Sequence, residues 1–236
     1  MREPMEEHSE ETVRKADFIL NKVMKRNVKR SMISDEHAFS SILVEAAEDV
    51  PEKYLVAYAE LLVSVGKYRL AKKMLESALK NVPGDKRALN ALGLIFVRRD
   101  ELEKGIEHYE RALGLDPDYE PAWFNKGKAL FRVDELEQAE ECFRKAVALN
   151  ENNISAWNNL GLTLKLMGDI DEAIECYRKA LGINEQYHYA WSNLGYAYIA
   201  LKNFSKGLEC FEKALEIKPD YDVAKRGKAM CEGNLR

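Results

Sequence analysis

Tryptophan sets the constraint. Trp123, Trp157 and Trp191 stand 34 residues apart, and aligning on them superimposes WFNKGKALF, WNNLGLTLK and WSNLGYAYI. Stepping back by the same interval reaches LNALGLIFV at Leu89 and LVAYAELLV at Leu55. Five units therefore tile 52–85, 86–119, 120–153, 154–187 and 188–221 without insertion or deletion, which covers 170 of 236 residues. A fixed period of this length marks stacked supersecondary units, none of which can bury its apolar face alone.

Each unit reads as two amphipathic helices. With the first residue of a unit as place 1, place 8 carries Ala59, Gly93, Gly127, Gly161 and Gly195. Place 20 carries Ala71, Gly105, Ala139, Ala173 and Gly207, and place 27 is alanine in all five. Between them, place 24 holds Leu75, Tyr109, Phe143, Tyr177 and Phe211. Apolar residues three and four apart define helical faces. Small residues opposite large ones let two helices approach to about 8–10 Å between axes. Turn dipeptides at 66–67, 99–100, 133–134, 168–169 and 202–203 separate the two helices, and Pro83, Pro117 and Pro219 close units where a helix cannot continue.

This pattern resembles the tetratricopeptide repeat (TPR) family, whose units read W-x2-L-G-x2-Y, then A-x3-F and a late proline. The units at 154 and 188 fit best and the first is loosest. Those at 120 and 154 place Glu151 and Glu185 where the proline belongs. The resemblance implies an all-α, right-handed superhelical solenoid of helix-turn-helix hairpins whose first helices line the inner, concave wall. Residues 1–51 are expected to hold a divergent sixth unit, with Phe39, Leu43 and Ala46 at its second-helix places, preceded by a helix over about 10–30. Residues 222–236 keep the first-helix register but put Lys225 and Lys228 where Trp and Leu belong, which predicts a polar terminal cap.

Catalytic chemistry finds no foothold. His8, His37, His108 and His188 have no ligand spacing. Cys142, Cys176 and Cys210 share place 23 of consecutive units, about a helix-packing distance apart, too far to hold one metal ion or to form a disulfide. No nucleophile elbow, P-loop or dinucleotide fingerprint occurs. The expectation is a protein that is not an enzyme, without cofactor or metal. A formal charge of −4 argues against nucleic acid, no apolar run approaches membrane-spanning length, and the acidic N-terminus lacks a targeting pattern. A cytoplasmic protein is expected.

Function should then lie on the first helices. Places 2, 5, 6, 9, 12 and 13 of the five units hold six Lys/Arg and one acid, so the groove is predicted to be basic within an acidic chain. Asn125, Asn159 and Asn193 recur at place 6, and an amide can pair with any peptide backbone. Their arrangement is similar to the asparagine ladder of the O-linked N-acetylglucosamine transferase repeats, which implies an extended peptide as ligand. Asn90, Asn158, Lys128, Arg87, Phe124, Tyr189 and Tyr196 are the neighbouring contact candidates. Arg98, Arg132 and Lys165 are discounted because cations suit the last turn of a helix anyway. The spacing does not reproduce the carboxylate clamp of heat-shock co-chaperones, since Asn90 and Leu94 precede Asn125 and Ser155 and Asn159 follow it. The leading reading is a protein-interaction scaffold that binds an extended peptide or partner segment in the concave groove, with the groove's charge favouring an acidic one. Homo-oligomerisation is the alternative, and RNA binding by helical repeats is the weaker third.

Overall fold

The computed structural model describes residues 18–23, 36–47 and 50–235, and every described element is helical. Most of the helix expected over 10–30 and the first helix of the divergent unit lie outside these residues. The chain divides into two compact units, Met1–Pro117 and Asp118–Arg236.

In the first unit, α1 (Glu36–Ala46) precedes the hairpin of α2 (Leu55–Ser64) and α3 (Tyr68–Asn81), then the hairpin of α4 (Lys86–Arg98) and α5 (Leu102–Leu115). A π-helical turn at Phe18–Val23 sends Ile19 and Leu20 into the same core as Leu43, Leu62 and Leu75. Tyr58 donates from its hydroxyl to the Leu43 carbonyl at 2.8 Å, tying α2 to α1. The second unit holds three hairpins: α6 (Glu120–Arg132) with α7 (Leu136–Leu149), α8 (Ile154–Met167) with α9 (Ile170–Ile183), and α10 (His188–Ala200) with α11 (Phe204–Ile217). The helix α12 (Asp222–Leu235) packs on α11.

Every second helix runs from place 17 to place 30 of its unit, so one turn geometry serves all five hairpins. That turn needs a left-handed residue at place 15. Gly66 (φ 73°), Asp100 (67°), Asp134 (65°), Gly168 (101°) and Lys202 (57°) all adopt it. Glycine does so freely and aspartate tolerably, whereas lysine pays the Cβ–carbonyl clash.

Close approach accounts for place 8. A Cβ added to Gly161 would lie 2.7 Å from the Tyr177 ring and 3.0 Å from the Ala173 carbonyl, so side chain and backbone both block it. The aromatic ring of place 24 fills that contact and is fully buried at Tyr109, Phe143, Tyr177 and Phe211. Each such ring contributes about 1.5–3 kcal/mol of burial. Successive hairpins are also tied by the tryptophans: Trp157 and Trp191 donate from Nε1 to the carbonyls of Glu151 and Glu185 at 2.9 and 2.8 Å.

Helix α12 buries Ala224, Gly227 and Cys231 against α11, and Gly227 sits so close to Phe211 that a Cβ would come within 2.2 Å of the ring. Lys225, Arg226 and Met230 stay exposed, and Lys228 pairs with Glu212 at 2.8 Å.

Candidate functional site

Within the second unit, α8 neighbours both α6 and α10, so the first helices of successive hairpins form one wall. Asn125, Asn159 and Asn193 occupy the same register on these helices, and each is half-buried. The Asn159 side chain donates to the Ser155 carbonyl of its own helix at 2.7 Å. Asn193 donates to the Asn158 side-chain oxygen at 2.9 Å, which bridges α10 to α8. Asn158 is only 7% exposed, so its oxygen relies on that bond.

The other candidates differ in how they are held. Phe124 packs obliquely on Phe143, and Lys128 lies over the Phe124 ring at 5.5 Å. Tyr196 is engaged at both ends: its ring meets Phe211 edge-on and its hydroxyl donates to the Val223 carbonyl of α12 at 3.0 Å. Tyr189 belongs to an aromatic cluster with Tyr187, His188 and Tyr221 at centroid distances of 4.0–5.7 Å. Burial, with Lys218 nearby, holds the His188 imidazole below its usual range and so favours the neutral ring.

Arg87 and Asn90 belong to the first unit. The Arg87 guanidinium grips Glu60 through two bonds, 2.7 and 3.3 Å, so its charge is already matched within the unit. Place 6 there is Ala57 and Ala91, and neither provides an amide.

One residue that the sequence discounts stands out. Lys165, in the last turn of α8, lies over the Tyr196 ring at 5.7 Å and has no carboxylate within ion-pair distance among the described residues. Burial pulls its ammonium below the usual lysine range. Lys126, Lys128 and Arg132 on α6 each have interactions of their own. Helical position alone could not find Lys165, because its last-turn placement has a sufficient local explanation.

Charge is divided between the two kinds of helix. The first helices α6, α8 and α10 carry four Lys/Arg and one Glu, whereas α7, α9 and α11 carry six Lys/Arg and nine acids. The single acid, Glu120, accepts from Asn153 at 2.6 Å.

The cysteines lie on α7, α9, α11 and α12. Cys142, Cys176, Cys210 and Cys231 are buried and form no disulfide. Burial pushes the Cys176 and Cys210 thiols up to about 12, with nearby carboxylates adding to the shift, which suppresses the reactive thiolate. Among the described residues no group of His, Cys, Asp and Glu is disposed to hold a metal ion, and no helix is long and apolar enough to cross a membrane.

A family profile described as a tetratricopeptide repeat matches residues 121–153, 154–187 and 188–221, and a second profile of the same description matches 57–120. A tetratricopeptide repeat domain-containing protein of Arabidopsis thaliana, PYG7, chloroplastic, is 44% identical over 66 residues, or 26% of this chain. That match spans 22% of the relative's own length. Among solved structures, YrrB, described as a TPR protein with an unusual peptide-binding site, superposes with a TM-score of 0.64 at 25% identity, over 79% of this chain and 97% of that one. MamA superposes with a TM-score of 0.62 at 28% identity, over 68% and 94% of the two chains. A MamA fragment from Desulfovibrio magneticus RS-1, at 19% identity and a TM-score of 0.65 over 72% and 97%, shares the fold.

Proposed function

The chain belongs to the tetratricopeptide repeat family, an all-α solenoid fold whose members bind protein partners, and from that premise we propose that it is a non-catalytic scaffold whose first-helix wall at α6, α8 and α10 receives an extended, acidic peptide segment. The observation that carries this reading is the repetition of a half-buried amide at one register on three neighbouring helices. Packed helices stand about 8–10 Å apart. An extended chain rises about 3.3 Å per residue, so every third peptide group of a strand would meet an amide. A carboxamide offers two N–H donors and an acceptor oxygen. The single N–H bonds that Asn159 and Asn193 make leave each with further capacity while fixing its orientation.

The excess of cations on the same wall favours acidic segments, because complementary charge steers encounter and selects partners. The peptide-binding site named for YrrB lends support by likeness of fold.

The test is display selection from a random peptide library, with the wild type beside the Asn125→Ala/Asn159→Ala double variant. Asn193 is left intact because it satisfies Asn158. Peptides enriched by the wild type should lose about tenfold or more in affinity for the double variant, in line with the loss of two hydrogen bonds. Equal affinities at unchanged melting temperature would move the binding surface off this wall.

A further inference from the structure

We propose that Lys165 is the charge-reading position of this wall, the group that seats one Asp or Glu side chain of the bound segment; the inference rests on the peptide-scaffold reading above. An ammonium withdrawn from water is costly unless a partner compensates it. Elsewhere in the chain the compensation is visible: Arg87 has Glu60, Arg144 has Glu140 and Glu172, and Lys228 has Glu212. Lys165 has the face of Tyr196 and no acid among the described residues. Its neighbours are fixed, since Tyr196 is held through Phe211 and Val223. The ring therefore presents a rigid floor, and the ammonium beside it is positioned without being neutralised.

The position suits the ligand geometry. Asn158, Leu162 and Lys165 follow at spacings of four and three along α8 and so share one face. From that face α8 meets α10 twice, through Asn158 with Asn193 and through Lys165 with Tyr196. The first contact closes a hydrogen bond and the second leaves a charge open. A carboxylate arriving there gains a partner in a partly dehydrated setting, where an ion pair is worth more than on an open surface. Discrimination should therefore act on charge at one side chain of the peptide, while backbone recognition is left to the amides.

Two peptide libraries, one with a free C-terminus and one amidated, separate side-chain carboxylates from the chain end. Wild-type protein should enrich amidated peptides with Asp or Glu at a fixed position. Replacing that residue by Gln or Asn should weaken binding about tenfold, as expected for a close charge pair. Lys165→Met, which keeps the aliphatic stem, should bind the acidic and amide peptides equally, and Lys165→Arg should restore the preference. Enrichment only from the free-C-terminus library, or an acidic preference that survives in Lys165→Met, overturns the assignment while the scaffold reading stands. Peptides without any acidic position overturn it likewise. No enrichment by the wild type from either library overturns both.

Discussion

The two units are built from the same hairpin and present different walls. Place 8 is Ala59 and Gly93 in the first unit and Gly127, Gly161 and Gly195 in the second, always small beneath a large residue at place 24. Place 6 is Ala57 and Ala91 in the first, and Asn125, Asn159 and Asn193 in the second. In the first unit Arg87 is matched by Glu60 and Lys86 by Asp116. In the second, Lys165 has no such acid. Packing restricts the positions between helices to a few side-chain sizes, whereas positions facing outward are free to differ. Recognition is therefore to be sought where the units diverge.

The largest effect should come from breaking what the units share. Gly161→Leu drives a side chain into the Tyr177 ring and the Ala173 carbonyl, and should cost about 3 kcal/mol, at the upper end for overpacking. Thermal or urea unfolding measures it, and a loss below about 1 kcal/mol would show that the hairpin can open at this contact.

Next is a contact between α8 and α10 of the second unit. Asn193→Ala strands the buried Asn158 oxygen and should cost about 1–3 kcal/mol, whereas Asn159→Ala removes only a bond to its own helix and should stay within about 0.5 kcal/mol. Similar losses in the two variants would contradict the distinction drawn between them. It follows that replacing all three asparagines by alanine mixes stability with binding.

A gain is expected at the turn. Lys202→Gly relieves a left-handed lysine and should stabilise by up to about 1 kcal/mol, less the extra flexibility glycine gives the unfolded chain. A destabilised variant would show that the lysine stem contributes packing that outweighs the strain.

Lys165→Met should give a smaller gain, and one that depends on pH. The folded-state pKa of Lys165 is lowered by burial. The folded form thus binds this proton less tightly than the unfolded chain, and the penalty is fully present below the folded pKa. It fades as pH rises from there to the ordinary lysine value near 10.5, above which both states are neutral. Stability of wild type and variant should therefore converge between neutral and strongly alkaline pH. A gap that is constant with pH would assign the difference to packing.

Least of all should Arg87→Ala matter in the first unit. Its pair with Glu60 is half-exposed, and such pairs contribute about 0.2–1 kcal/mol, less in high salt. A loss well above 1 kcal/mol that salt leaves unchanged would mean that this pair organises the first unit's wall.

The 34-residue period, the two helices per unit and the small-against-large contacts were legible in the order of residues alone, because each depends on spacing within one hairpin and is repeated five times. The left-handed residue at place 15 was half legible: the turns were located, but Lys202 does not announce a positive φ. The wall residues were located without their states. That Arg87 is matched by Glu60, that Asn158 is buried beneath Asn193, that Tyr196 is held by α12 and that Lys165 is left without an acid are facts of the folded molecule. Each joins helices about one repeat apart in sequence, or reports the lack of such a contact. Helical periodicity states which face a side chain occupies; the partner on the adjoining helix is set by packing, because it depends on which side chains the stacked repeats bring within reach.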